Sequence, residues 1–171
     1  SMSGEHGDGR ARSELLPLMY SPAAIRLFGA VKSVFDPDNV LNPGVLVDPR
    51  PVDLDLRVPA ARKVDVDLGF RYSDDGGNLT QAVHRCTGVG KCRADTTAVG
   101  GVMCPSYQAT REEKDSTRGR ARALQEMLNG TLVTDSWRSK EVHDALDLCL
   151  SCKGCLSDCP TGVDMATWKS E

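Results

Sequence analysis

Cys149-Leu150-Ser151-Cys152-Lys153-Gly154-Cys155-Leu156-Ser157-Asp158-Cys159-Pro160 decides how this chain is read. Three thiols at Cys-x2-Cys-x2-Cys spacing can face inward from one tight loop, while Cys159, three residues further on, points elsewhere. Pro160 turns the chain away and offers no N–H. Gly154 lets backbone approach closely beside the loop. A second group precedes it: Cys86, Cys92 after five residues, and Cys104 after eleven more, followed by Pro105. Cys104-Pro105 mirrors Cys159-Pro160 and hints at a pseudo-twofold arrangement. All seven cysteines lie beyond residue 79, and the odd count argues against a disulfide framework, which needs pairs.

The loop spacing is the one used by bacterial ferredoxins with two iron–sulfur clusters, in which the fourth cysteine ligates the other cluster. Exchanging the remote ligands gives a full assignment. Cys149, Cys152, Cys155 and Cys104 hold a [4Fe–4S] cluster; Cys86, Cys92 and Cys159 hold a second. Midway between Cys86 and Cys92 stands Val89, which cannot bind iron. Three thiolates fit a [3Fe–4S] cluster, or a [4Fe–4S] cluster with water or an outside ligand at its fourth iron. Structural zinc is the competing reading, although zinc sites usually show two separated Cys-x2-Cys pairs. Lys91, Arg93 and Lys153 stand near cysteines, where positive charge would raise a cluster's potential; solvated surface charge accounts for each of them equally well. Arg118, Arg120 and Arg122 read as a solvated helix face. His84 and His143 are isolated and read as ordinary surface or packed side chains.

Outward from the cysteines, 171 residues suffice for one domain or two small ones. Aromatics make up only 5%, a thin supply of large core-filling side chains, and the net charge of -3 disfavours a nucleic-acid partner. No apolar run approaches membrane-spanning length and no secretory signal opens the chain. Residues 1–50 begin with a glycine-rich stretch. A helix follows, capped by Ser21 with Pro22 in its first turn and Ile25, Phe28, Val31 and Phe35 on one face. Asp36-Pro37 stops it and Asn42-Pro43-Gly44 is a turn. Residues 51–78 read as a proline-rich linker. Val52-Asp53-Leu54-Asp55-Leu56 and Val64-Asp65-Val66-Asp67-Leu68 alternate, which predicts extended chain. Residues 79–171 form the cysteine-bearing domain. Thr110 with Glu113 fits a capping box and Ser116 is a second cap. Ala121, Leu124 and Leu128 give a helical stripe closed by Asn129-Gly130. A further helix is predicted from Lys140, capped by Ser139, with Val142, Leu146 and Cys149 on one face.

The cysteine block resembles the α-helical ferredoxin domain of the succinate dehydrogenase iron–sulfur subunit, and the iron–sulfur subunits of glycolate oxidase and anaerobic glycerol-3-phosphate dehydrogenase. In the succinate dehydrogenase subunit an apolar residue likewise stands between the two cysteines of the three-iron site; many relatives with two four-iron clusters carry cysteine there. Ser3-Gly4-Glu5-His6-Gly7-Asp8-Gly9 is similar to a motif near the C-terminus of FAD-linked D-lactate, glycolate and D-2-hydroxyglutarate dehydrogenases. Asp36-Pro37 through Leu41-Asn42-Pro43-Gly44 resembles the end of that flavin domain. Met103-Cys104-Pro105-Ser106-Tyr107 and Ser116-Thr117-Arg118-Gly119-Arg120-Ala121 resemble the iron–sulfur module of bacterial fusions.

The resemblance implies a mainly α-helical junction: a helical remnant of the FAD-linked oxidase domain, then a two-cluster ferredoxin domain. It implies Glu5 as a divalent-metal ligand and His6 as the base that takes the substrate hydroxyl proton while hydride goes to FAD. The FAD-binding motif and the other metal ligands would lie upstream, so these residues alone should neither bind FAD nor turn over substrate. The intact protein is expected to oxidise a D-2-hydroxy acid and pass electrons from FAD through both clusters to an acceptor such as quinone. The expected partners are the flavin domain upstream and a cysteine-rich reductase domain downstream; the expected location is the cytoplasm, including the inner face of the membrane as a peripheral site. Two rivals remain at this stage: a zinc-stabilised interaction module, and an iron–sulfur subunit of a glycerol-3-phosphate or heterodisulfide-reductase type complex.

Overall fold

A computed structural model describes residues 5–62, 67–95 and 100–171. They form helices, short 3-10 turns and loops, with no strand among the described residues. No helix among them is long and apolar enough to cross a membrane. The chain divides into two compact units, Ser1–Arg57 and Val58–Glu171, so the division falls inside the stretch read as linker.

In the first unit, α1 (Gly9–Arg12) runs into a 3-10 stretch (Ser13–Leu18), and α2 (Pro22–Phe35) follows. The Ser21 hydroxyl accepts from Ala24 N at 3.3 Å, as its capping position predicts. Asp36 ends α2 by folding the chain over its own carboxylate, which accepts from Val40 N at 2.8 Å and Leu41 N at 2.9 Å and pairs with Lys32. The expected apolar face of α2 is only partly covered: Phe28 meets Tyr20 edge-on at 5.2 Å, but Phe35 is 81% exposed.

The run Val52–Leu56 is a turn, not extended chain. Its backbone groups are taken by side chains from far upstream: Glu14 Oε2 accepts from Val52 N (2.7 Å), and Arg10 donates to Arg50 O and Leu54 O (3.2 Å each). With those groups engaged and no neighbouring strand, a ladder cannot form. The second alternating run, from Val64 to Leu68, lies largely outside the described residues.

The division falls after the first residue of α3 (Arg57–Ala60), and the second unit continues through α4 (Leu79–His84), α5 (Pro105–Thr110), α6 (Thr117–Asn129), α7 (Lys140–Asp147), α8 (Gly154–Asp158) and α9 (Met165–Ser170). Helix α6 is the axle. Its stripe Ala121, Leu124 and Leu128 is buried against Val83 of α4, Val142 of α7 and Trp168 of α9. Ser116 starts α6, accepting from Gly119 N at 2.9 Å, and Gly130 ends it in the left-handed region. Thr110 does not cap a helix. It ends α5, where its hydroxyl donates to Ser106 O at 3.1 Å, because Arg111 turns left-handed directly after it. Ser139 caps α7 by accepting from Val142 N at 3.3 Å.

Candidate iron–sulfur centres

All seven cysteines are free thiols. Cys104, Cys149, Cys152 and Cys155 line one small cavity, together with Ser106, Thr117 and Arg120. The remote ligand named from sequence therefore stands at the same hollow as the three-thiol loop. Ser151 and Lys153 hold left-handed backbone between the loop cysteines, and Cys104 does so at its own position, with φ of 51°, 59° and 60°. Three such residues around one cavity mark a backbone shaped by tertiary context rather than by local preference. The loop is pinned from two sides. Lys169 of α9 donates to Leu146 O (2.9 Å) and Cys149 O (2.8 Å), tying the last helix to the start of the loop. Gly154 packs so closely that an added Cβ would lie 3.0 Å from Val102 O. Asp158 Oδ2 accepts from Val102 N at 2.9 Å and Met103 N at 3.0 Å, joining the α8 end to the residues just before Cys104. The Val102 amide, the Ser157 hydroxyl and the Met103 amide hold its carboxyl below the ordinary range.

Cys104 is buried; its sulfur accepts from Thr117 N at 3.1 Å and Arg120 Nη1 at 3.6 Å, and its thiol donates to Asp115 O at 3.2 Å. N–H groups aimed at a buried sulfur suit a thiolate that binds iron, so the donor set fits an iron–sulfur cluster. Cys155 is buried as well, and burial pushes its thiol up. Metal binding would replace that proton.

In the second group, burial likewise raises Cys92, and the neighbouring charges of Cys104 and Cys86 add to the effect. Cys92 is thus within electrostatic reach of both Cys86 and Cys104. Cys86 and Cys159 are half-buried against the same core. Burial works against ionisation of Cys159, but the Thr161 hydroxyl (3.3 Å) and the amides of Val163, Thr161 and Gly162 outweigh it and hold the thiol below its ordinary value. Gly162 lies against Arg85, the residue before Cys86: an added Cβ would stand 3.4 Å from its guanidinium. Val89 is 66% exposed. Among the described residues no three Cys, His, Asp or Glu side chains close onto a single metal ion.

Two family descriptions match this architecture. "FAD linked oxidases, C-terminal domain" covers residues 1–46, and "4Fe-4S dicluster domain" covers residues 82–163, which contain every cysteine. The chain joins the end of an FAD-linked oxidase domain to a 4Fe–4S dicluster domain. Curated relatives match the chain along nearly its whole length or over one segment. A D-2-hydroxyglutarate dehydrogenase of Pseudomonas putida is 34% identical over 98% of this chain, which spans 19% of that relative. The glycolate oxidase iron–sulfur subunit of Escherichia coli is 38% identical over 35% of this chain and 14% of its own length. Glycolate oxidase subunit GlcD of the same organism is 48% identical over 26% of this chain and 9% of its own length. The chain thus spans about a fifth of the dehydrogenase it matches along its whole length, and no solved structure matches it significantly.

In the oxidase segment Glu5 and His6 are exposed. In the dicluster domain the arginine row of α6 is not one solvated face. Arg118 forks onto Glu113 at 2.7 and 3.0 Å and faces Cys92 and Cys86; Arg122 pairs with Glu126 at 3.3 Å. Arg120 is 2% exposed and points inward. Arg93 pairs with Glu113 at 3.1 Å and Lys153 with Asp164 at 3.4 Å. His84 is tied through Nδ1 to Thr80 O at 2.6 Å, and His143 is exposed beside Asp144. Asp158 and Lys169 are positioning residues that motif reading passes over, since single charged residues carry no spacing signal, and Arg120 is one that it misplaces on the solvated face.

Proposed function

We propose that this chain is the electron-relay portion of an FAD- and iron–sulfur-dependent dehydrogenase of D-2-hydroxy acids. The observation that carries the reading is the convergence of Cys104 with Cys149, Cys152 and Cys155 on one cavity, across a sequence separation of 45 residues to the first of them. These four thiols would hold a [4Fe–4S] cluster; Cys86, Cys92 and Cys159 would hold the second, as [3Fe–4S], because Val89 supplies no ligand. When bound, FAD takes the substrate hydride, and the two clusters release its electrons singly toward an acceptor such as quinone. The chain's own residues set the conditions. Thr117 N–H and the Arg120 guanidinium stabilise negative charge on Cys104. The Thr161 hydroxyl and the following amides do the same for Cys159.

In the intact protein His6 takes the hydroxyl proton and Glu5 binds a divalent metal beside it, working with the flavin domain upstream and a cysteine-rich reductase domain downstream. The names of the relatives favour D-2-hydroxyglutarate among the possible acids. The reading is tested by anaerobic metal analysis with EPR. The expected result is about seven irons per chain, from one three-iron and one four-iron cluster, with an EPR signal in the oxidised state. About eight irons and no oxidised-state signal would remove the three-iron assignment. Stoichiometric zinc in a colourless anaerobic preparation would overturn the relay itself.

A further inference from the structure

Among the described residues of the dicluster domain, Arg120 is a buried charged side chain whose placement packing and ligation alone do not account for. It is among the largest fully buried side chains of the chain. Its guanidinium donates to Ala145 O at 2.8 Å through Nε, to Ser106 Oγ at 2.9 Å through Nη2, and to Cys104 Sγ at 3.6 Å through Nη1. None of these partners is a carboxylate. A guanidinium does not shed its proton in a protein, and a buried cation with only neutral partners is strongly disfavoured. Of its three partners, the sulfur of Cys104 is the one able to carry negative charge. Asp115, also buried, acts on the same guanidinium only at longer range; its near partners are the Thr110 side chain and Lys114, the latter at 3.1 Å. Arg120 also lines the cavity shared by Cys104, Cys149, Cys152 and Cys155.

We infer that Arg120 is a tuning residue for the cluster held by Cys104: its buried positive charge, aimed at that ligand, raises the cluster's reduction potential. The inference rests on the proposed cluster assignment. Gaining one electron makes a thiolate-ligated cluster one unit more negative. A fixed cation at a ligand sulfur, screened from water, therefore stabilises the reduced form more than the oxidised one. The fork geometry fits this task. Ser106 Oγ and Ala145 O hold two faces of the guanidinium, so the third is delivered to sulfur rather than left to rotate. Cys159, the opposite remote thiol, is stabilised by a hydroxyl and amides with no arginine among its hydrogen-bond partners. Arg120 thus acts on the centre that Cys104 serves.

The test compares Arg120→Lys, Arg120→Gln and Arg120→Met in the cluster-loaded chain by EPR-monitored redox titration, with the signal of this cluster identified by its loss in Cys104→Ser. The expected result is a shift to more negative potential in Arg120→Gln and Arg120→Met, little shift in Arg120→Lys, and an unmoved second cluster in all three. Equal potentials across the wild type, Lys and Gln forms would overturn the inference. So would loss of the cluster in all three variants, Lys included, because Arg120 would then be a structural requirement. Absence of clusters from the wild-type chain would instead sink the cluster assignment, so the two failures are distinguishable.

Discussion

On the proposed assignment, Val89, a side chain without a lone pair midway in sequence between Cys86 and Cys92, stands where a further thiolate would complete a four-iron site. Its exposure means that substitution there disturbs no packed core. Val89→Cys is therefore expected to raise the iron content by about one per chain, with loss of the oxidised-state EPR signal of a three-iron cluster. Iron analysis beside EPR on the anaerobic protein checks it; an unchanged count would separate Val89 from the site. A neighbouring case shows how far single residues can be read from sequence. The seven thiols announce themselves by spacing, because iron ligation demands sulfur at fixed separations. Arg118, Arg120 and Arg122 announce only charge. Residues two apart on a helix do not face each other, so these three could never share one face. Which of them turns inward depends on α7, whose Ala145 carbonyl receives Arg120.

At the scale of elements, the helices that carry their own start and stop signals are legible. Ser21 and Pro22 open α2, Ser116 and Gly130 bracket α6, and Ser139 opens α7. The Val52–Leu56 turn is not legible, because its backbone is satisfied by Arg10 and Glu14, about forty residues away. The Thr110 reading fails for a related reason: a hydroxyl at a helix end serves a carbonyl behind it as readily as an amide ahead. Helix α6 depends most on a residue with no side chain. At Gly119 helix propensity favours alanine by about 1 kcal/mol, yet a Cβ there would collide with the carbonyl of Glu113, 2.8 Å from its carbon. The obstacle is backbone and cannot rotate aside. Gly119→Ala is expected to destabilise the domain by about 1–3 kcal/mol, read as a lower urea midpoint, with reduced iron retention because Thr117 and Arg120 lie on the same turns of α6. A midpoint at or above wild type would show that the Glu113 turn yields without cost.

For the whole molecule, the chemistry is divided as the fold is. The first unit contains Glu5 and His6 and no cysteine; the second contains all seven cysteines. If the proposed function is right, substrate oxidation and cluster reduction are separable by mutation. In the full-length protein, His6→Ala removes the base that takes the hydroxyl proton, a contribution of about 10²- to 10⁴-fold to the rate. Its iron content and EPR spectra should stay those of the wild type. Cys155→Ser strikes the other unit. It should leave anaerobic bleaching of the flavin by substrate intact, while transfer from the reduced protein to an added quinone or dye falls. The crossed pattern is the informative part. A base lost from the first unit slows flavin bleaching itself; a thiolate lost from the second slows only the oxidative half. If His6→Ala bleached flavin at the wild-type rate, the proton would be leaving by another route. If Cys155→Ser passed electrons to the acceptor at the wild-type rate, the acceptor would be drawing on the flavin directly, and the cysteine-rich domain would stand outside the path.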